Sequence, residues 1–242
     1  MEHQTALVTG AGSGMGQAIA VDLARAGLRV ALIGRSAKKL EETRGRLGPA
    51  AEQALVCPCD VADRAAVGAM VQRVIEGFGS IDILVCNAGI NVNPRSLEKL
   101  DPADWDRMIA TNLTGAFNLV HFVLPSMRQR KRGLVIQICS IAGVRASVLG
   151  GAGYSASKFG QAALGLTLGR EERLHGIKSS VIYPGEVNTP ILDQRPVPVP
   201  PERRAAILQP EDVAAAVRFL AELPARATVP ELVITPAVDE FF

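Results

Sequence analysis

A tyrosine and a lysine that could exchange a proton lie four positions apart in the second half of the chain. Tyr154 and Lys158 would share one face of a helix, because side chains at positions i and i+4 lie one above the other. An ammonium group close to a phenol favours the phenolate, so we expect the pKa of Tyr154 to fall from its ordinary value of about 10 towards neutral pH. A tyrosine tuned in this way can serve as a general acid or base.

A glycine-rich turn near the start of the chain has the pattern of a dinucleotide-binding loop. The segment Thr9-Gly10-Ala11-Gly12-Ser13-Gly14-Met15-Gly16 follows an apolar run and opens a helical pattern, which is the context that this motif requires. Gly10 would permit a tight turn, Gly14 would let the backbone approach a pyrophosphate, and Gly16 would let the helix pack closely on the sheet. Free N–H groups at the start of the helix would then bind the phosphates.

The end of the second apolar run indicates which dinucleotide is bound. An NAD site usually places a carboxylate here, on the adenosine ribose, whereas an NADP site needs a cation. Gly34 stands where the acid would be, and Arg35 offers a guanidinium group for a 2′-phosphate. The sequence therefore favours NADP over NAD. Asp60, after the third apolar run, could hydrogen-bond the adenine amino group or could cap the next helix.

Composition and charge limit the class of protein. With 242 residues, of which 48% are hydrophobic, the chain can fill one large α/β domain, and we assign residues 1–242 to a single domain. A net charge of +2 gives no reason to expect a nucleic-acid or membrane partner, so we expect a small molecule. We also expect neither a signal peptide nor a membrane span, since the apolar runs are short. The four cysteines fit buried thiols of a reducing, cytoplasmic compartment better than a disulfide or a metal site.

The elements that would position these residues alternate between strands and helices. Seven short apolar runs are typical of strands buried on both faces: 6–8, 30–33, 54–57, 81–86, 134–140, 179–183 and 232–234. Apolar residues between the third and fourth runs recur at helical spacing, at Val67, Met70, Val71, Val74 and Phe78. This alternation predicts an α/β fold, a Rossmann-like doubly wound parallel sheet of about seven strands flanked by helices. The proline-rich segment at about 190–208 interrupts the pattern, and we expect it to form a lid over the substrate.

Taken in order, several motifs resemble those of the short-chain dehydrogenase/reductase family, of the single-domain type, over essentially the whole chain. Beyond the glycine turn, the matching positions are Asp60, Asn87-Ala88-Gly89, Asn112, Ser140, Tyr154-Ser155-Ala156-Ser157-Lys158, Pro184-Gly185 and Thr189. The resemblance implies an NADP-dependent oxidoreductase that interconverts a secondary alcohol and a carbonyl compound by hydride transfer.

The same resemblance implies catalytic roles for four residues. Tyr154 would pass a proton to or from the substrate oxygen, and Ser140 would hold that oxygen. Lys158 would lower the pKa of Tyr154 and bind the nicotinamide ribose. Asn112 would use its side chain to keep a water molecule beside Lys158.

Cofactor contacts follow from the glycine turn, from the end of the second strand and from the resemblance. The expected cofactor-binding residues are Gly10, Ser13, Gly14, Met15, Gly16, Arg35, Asp60, Val61, Asn87, Ala88, Gly89, Tyr154, Lys158, Pro184, Gly185, Val187 and Thr189. The first five would surround the phosphates, the triplet at 87–89 would lie against the adenosine ribose, and the stretch from Pro184 would pass beside the nicotinamide. We expect no metal ion.

Substrate, partners and two alternatives stay open at this level. The expected substrate-facing residues are the apolar Val144, Val148, Leu149, Ile191 and Leu192 and the basic Arg145, Arg195, Arg203 and Arg204. Similarity to family members that act on serine and small 3-hydroxy acids favours small hydroxy-acid or broad carbonyl substrates. The alternatives are the same chemistry with NAD, and a dinucleotide-binding sensor or scaffold without catalysis. The resemblance implies a homotetramer or homodimer that pairs helices at 105–118 and 154–169, while Glu186 and residues 238–242 match no family pattern.

Overall fold

The computed structural model describes residues 4–239, and in that part of the chain seven strands form one parallel sheet. The strands are β1 (Thr5–Thr9), β2 (Arg29–Gly34), β3 (Leu55–Pro58), β4 (Ile83–Cys86), β5 (Gly133–Ile138), β6 (Ile177–Pro184) and β7 (Glu231–Ile234). Their order is β3-β2-β1-β4-β5-β6-β7, and every neighbouring pair is parallel. The order reverses between β1 and β4, so the loops that leave these two strands diverge and form a crevice at their carboxyl ends.

Helices cover both faces of the sheet, as the sequence predicts for a doubly wound fold. The described residues form α1 (Gly14–Arg25), α2 (Ala37–Gly45), α3 (Arg64–Phe78), α4 (Pro102–Ile109), α5 (Gly115–Arg130), α6 (Ala152–Glu171), α7 (Pro201–Ala206) and α8 (Pro210–Glu222). One apolar core lies between the sheet and the pair α1 and α8, and a second lies between the opposite face and the pair α3 and α5. The seven strands and the single-domain, Rossmann-like fold are confirmed.

Helix α3 illustrates why the sequence pattern succeeds. It begins after Asp63, whose carboxylate accepts the N–H of Ala66 (3.0 Å), and it ends at Gly79, which adopts a left-handed conformation with φ 78°. The buried residues are the five that the spacing predicts: Val67, Met70, Val71, Val74 and Phe78. The apolar face therefore packs on the sheet while the caps fix both ends.

The buried carboxylate of Asp82 links the start of β1 to the end of α5. The Oδ2 atom of Asp82 accepts the backbone N–H groups of Gln4 (2.9 Å) and Thr5 (3.2 Å). Its Oδ1 atom pairs with Arg130 (2.7 Å) and Arg132 (3.1 Å). Although burial raises the pKa of Asp82, the hydrogen bonds from Gln4 and the two arginines outweigh it, and the net pKa is below its ordinary value.

One helical stretch in the described part of the chain, Pro102–Arg130, satisfies the length and composition of a membrane span. It comprises α4, a π-helical turn at Ala110–Thr114 and α5, which together form one continuous stretch of 29 residues. Helix α5 packs against α3, β4 and β5, and 44% of the apolar window is buried. A helix that flanks the core of an α/β sheet satisfies the same test.

Candidate active site

The loops after β1 and β4 are held together at the point where the strand order reverses. The Thr9 hydroxyl accepts the N–H groups of Asn87 (2.9 Å) and Ala88 (3.1 Å), and the Asn87 side-chain amide donates to the Thr9 carbonyl (2.8 Å). Gly10 has a φ of 66°, and a Cβ on it would lie 2.7 Å from Asn87 Nδ2. A Cβ on Gly16 would lie 2.3 Å from the Gly10 carbonyl oxygen. Both positions therefore require glycine, because the start of α1 packs directly on the turn.

The N-terminus of α1 fits a phosphate group. Its N-cap residue Ser13 is extended and makes no side-chain cap hydrogen bond, and the first turn holds no acidic residue. Uncapped N–H groups of this kind bind phosphate, so the pyrophosphate of a dinucleotide would be held here. Gly14, with φ 53°, also lets a second segment approach, because a Cβ on it would lie 3.1 Å from the Thr189 side chain.

Residues expected at the adenosine end lie on the loops after β2 and β3. Arg35 and Asp60 are both exposed. The Asp60 carboxylate accepts the N–H of Ala62 (3.0 Å) within a turn, so it does not cap α3. Val61 is buried, and its side chain packs on Gly115 at the start of α5. Side chains of Arg35 and Asp60 are therefore accessible to a ligand, whereas that of Val61 is not.

Ser140 and Tyr154 line one cavity of about 450 Å³ at the carboxyl ends of the strands. Ser140 follows β5, its hydroxyl oxygen accepts the N–H of Ala142 (3.1 Å), and its side chain lies close enough to the Tyr154 phenol to lower the pKa of that group. Burial raises the pKa of Tyr154 to about 12, while Ser140 and the Arg95 charge oppose this rise. The expected fall of this pKa is therefore wrong for this structure, because desolvation of the phenolate outweighs the nearby charges.

Lys158 is buried behind Tyr154, with its ammonium nitrogen 5.8 Å from the centre of the tyrosine ring. The ammonium donates to the Ile138 carbonyl (3.0 Å) and to Gln161 Oε1 (2.7 Å). Gln161 in turn donates to Gln137 Oε1 (3.0 Å), so a chain of amides fixes the lysine. An ammonium has three donors, and the described residues occupy two of them. One donor is left for a ligand such as a ribose hydroxyl.

The side chain of Asn112 is held by the protein itself. It lies in the π-helical turn between α4 and α5, and its amide accepts from the Ile90 N–H (2.8 Å) and donates to the Ile90 carbonyl (2.9 Å) and the Ser157 hydroxyl (3.0 Å). These hydrogen bonds go to Ile90 and Ser157, and the expectation that Asn112 keeps a water beside Lys158 stays a prediction. Asn112 also fixes the loop after Gly89, where a Cβ would lie 3.5 Å from Lys158 Nζ.

The structure brings most of the expected nicotinamide-side residues to the same cavity. Those that line it are Met15, Ser140, Tyr154, Pro184, Gly185, Val187 and Thr189. Of the substrate candidates, Leu149, Ile191, Leu192, Arg195 and Arg203 line it as well. The other four described candidates, Val144, Val148, Arg145 and Arg204, lie outside its wall. The proline-rich segment thus forms one side of the cavity. The two ends of this segment are joined by a hydrogen bond from the Asn188 N–H to the Leu208 carbonyl (2.8 Å).

Sequence reasoning missed two residues beside the reaction centre. Arg95 lines the cavity and is only 8% exposed, but it lies in a loop whose sequence carries no periodic signal. Gln161, the partner of Lys158, could have been found, because it lies three positions after the lysine and seven after Tyr154 on the same helix face.

Residues 4–197, which include the glycine turn, Ser140, Tyr154 and Lys158, match a family model described as short chain dehydrogenase. The chain belongs to the short-chain dehydrogenase family. Within this family, the (2S)-[(R)-hydroxy(phenyl)methyl]succinyl-CoA dehydrogenase subunit BbsD of Thauera aromatica is 34% identical over 230 residues, which cover 92% of this chain and 90% of that protein.

Two solved structures of the same family resemble the whole chain. A closed form of serine dehydrogenase complexed with NADP+ has a TM-score of 0.89 at 30% identity and covers 98% of this chain and 96% of its own. A 3-ketoacyl-(acyl-carrier-protein) reductase from Brucella melitensis complexed with NADH has a TM-score of 0.87 at 28% identity and covers 97% of each chain. This short-chain dehydrogenase is accordingly an NAD(P)-dependent oxidoreductase that acts on CH–OH groups of small molecules.

Proposed function

We propose that this enzyme interconverts a secondary alcohol and a carbonyl compound with NADP, and that Tyr154 is the general acid and base. The observation that carries the proposal is that Ser140 and Tyr154 lie together on the wall of a cavity that also reaches Met15 at the uncapped start of α1. When bound, the nicotinamide supplies or accepts the hydride. The chain's own residues bind and orient the cofactor and the substrate, and they move the proton.

Protonation of Tyr154 suits the direction of reduction. With a pKa of about 12, the phenol keeps its proton at neutral pH and can donate it to a carbonyl oxygen. Ser140 accepts the N–H of Ala142 at its oxygen, so its own hydroxyl hydrogen is free to turn between the phenol and the substrate oxygen. Both donors would meet the negative charge that develops on that oxygen.

Lys158 and Thr189 would hold the nicotinamide half of the cofactor, and Arg35 the adenosine half. The remaining donor of the Lys158 ammonium would bind the ribose, and Thr189 lies between the phosphate turn and the cavity. Arg35 is exposed beside Gly34, where no carboxylate competes for the 2′-phosphate, and this favours NADP. We also propose that Asp60 binds the adenine amino group and that residues 87–89 lie against the adenosine ribose.

We expect small hydroxy-acid or broad carbonyl substrates, and the serine dehydrogenase similarity supports this preference. A panel of ketones and hydroxy acids, followed by the change in nicotinamide absorbance with each cofactor, tests the function. Turnover should collapse in Tyr154→Phe while NADPH still quenches the fluorescence of Trp105, the single tryptophan. NADPH binding without turnover of any compound would instead favour a dinucleotide-binding sensor.

We also propose a homotetramer or homodimer in the cytoplasm. Phe117 on α5 and Phe159 on α6 are each 43% exposed, and the groove between these helices offers apolar area to a second copy. The four cysteines are buried and unpaired, which fits a reducing compartment. Light scattering of the protein as it elutes from a size-exclusion column should give a mass of two or four chains. The mass of a single chain would contradict the proposal.

A further inference from the structure

A buried arginine beside Tyr154 has only neutral partners. The guanidinium of Arg95 donates through Nε to the Val92 carbonyl (3.0 Å), through Nη1 to the Leu149 carbonyl (2.8 Å) and through Nη2 to the Gln194 carbonyl. None of the described acidic residues forms an ion pair with it. Since a buried cation is costly without a counter-charge, this arginine is well placed to receive an anion from outside the protein.

Arg95 also faces the site of reaction. It lines the same cavity as Ser140 and Tyr154, and burial and the neighbouring Arg195 lower its pKa while Tyr154 raises it. Arg195 lines the same cavity, so the three side chains share one wall. A guanidinium has five N–H donors, and the three carbonyls leave two of them unused.

Arg195 adds a second cation to the cavity wall. Its Nη1 atom lies 2.7 Å from Glu186 Oε1, yet that oxygen receives no properly directed hydrogen bond. The other carboxylate oxygen of Glu186 accepts two hydrogen bonds from Arg203 (2.7 and 3.1 Å), which also pairs with Asp239 (2.6 Å). Arg203 therefore shares the Glu186 carboxylate with Arg195, and the Nε and Nη2 donors of Arg195 have no hydrogen-bond partner among the described residues.

Charge counting along the wall gives the same result. The charged residues that line the cavity are three arginines and two carboxylates: Arg95, Arg195, Arg203, Glu186 and Asp239. One positive charge therefore has no partner there. Leu149, Ile191 and Leu192 add apolar surface on the substrate side, next to the polar Asn91 and Ser147. A short carbon chain with one negative end would complement this wall.

We propose that the substrate is a carboxylic acid whose carboxylate binds Arg195 and Arg95 while its carbonyl oxygen binds Ser140 and Tyr154. The proposal rests on the function proposed above and specifies its substrate class. In reduction, the carbonyl carbon gains the hydride of NADPH, which is oxidised to NADP+, and the carbonyl oxygen gains the Tyr154 proton; the carboxylate is unchanged. A planar carboxylate matches the paired N–H groups of a guanidinium.

Acetoacetate and methyl acetoacetate provide the test, because they share a ketone and differ in the charge of the neighbouring group. With NADPH, kcat/KM should be higher for acetoacetate, and Arg195→Met should lower the ratio of the two kcat/KM values by about 10- to 100-fold, the cost of one charge-assisted contact. Arg218→Met, which removes an arginine of α8 that pairs with Asp22 outside the cavity, should leave the ratio unchanged. Arg95→Lys, which keeps the charge but loses the fork, should also lower the ratio.

Binding gives a readout that does not depend on turnover. Titration calorimetry of each compound into the protein saturated with NADP+ should detect acetoacetate more tightly than its ester, and Arg195→Met should abolish the difference. Equal kcat/KM values and equal affinities for the two compounds would overturn the proposal, and so would an equal loss for both in Arg195→Met. Tyr154-dependent turnover of the neutral ester would in that case leave the oxidoreductase function standing.

Discussion

Replacing Arg35 by alanine should make the enzyme distinguish less between NADPH and NADH. Arg35 is exposed, and within residues 4–239 it forms no ion pair. Charge-assisted hydrogen bonds contribute about 1.5–3 kcal/mol, and solvent exposure places this one near the lower value. Lys39 stays near the phosphate turn, since a Cβ on Gly12 would lie 3.0 Å from Lys39 Cβ, and it limits the loss further.

A loss of about 1.4 kcal/mol corresponds to a tenfold change, so KM for NADPH should rise about tenfold in Arg35→Ala. KM for NADH should change little, because NADH has no 2′-phosphate. Arg46→Ala, an exposed arginine at the far end of α2, serves as the matched control. Steady-state kinetics with both cofactors decides the matter: an equal rise for NADPH and NADH, or no rise, would refute the assignment of Arg35 to the 2′-phosphate.

Three further outcomes are expected. Titration of the cofactor-free protein should show no tyrosinate absorbance below about pH 10, because burial raises the pKa of both tyrosines, Tyr154 and Tyr183; ionisation near neutral pH that disappears in Tyr154→Phe would contradict this. Asp82→Asn should lower the free energy of unfolding in urea at pH 7 by about 3 kcal/mol, since the buried carboxylate bridges two arginines. The folded pKa of Asp82 is depressed, so the wild-type advantage is present above the unfolded pKa of about 3.9 and should fade as pH falls below it; an advantage independent of pH would argue against the ion pairs. Gly16→Ala should destabilise the protein by about 1–3 kcal/mol and weaken NADPH binding, because its Cβ would overlap the Gly10 carbonyl, whereas Gly45→Ala, with open space around it, should do neither.

The fold could be predicted because its signals are local. Strands buried on both faces require continuous apolar runs, and α3 carries its apolar spacing and its terminal glycine in one short segment. Strand bounds differ by a few residues, as at β4, which begins at Ile83 instead of residue 81. The last three residues of the unmatched C-terminal stretch 238–242 lie outside the described part of the chain.

The site could be predicted only in part, because the spacing of residues along the sequence shows neither their burial nor their long-range contacts. Tyr154 and Ser140 were found from their order in the chain and do line one cavity. The predicted fall of the Tyr154 pKa was wrong, because the sequence shows the pairing with Lys158 but does not show the desolvation of the phenol. Arg95 binds carbonyl groups of three separate segments, and nothing in its own loop predicts them.

Transfer of deuterium from NADPH that carries deuterium at both C4 positions of the nicotinamide tests the central claim most directly. When a ketone that the wild-type enzyme reduces is used, mass spectrometry should find one deuterium on the carbinol carbon of the alcohol. Tyr154→Phe, with NADPH binding retained, should form this labelled alcohol at least about a hundredfold more slowly, the scale of a lost general acid. Unlabelled alcohol, or labelled alcohol formed at the wild-type rate by Tyr154→Phe, would contradict hydride transfer assisted by this tyrosine.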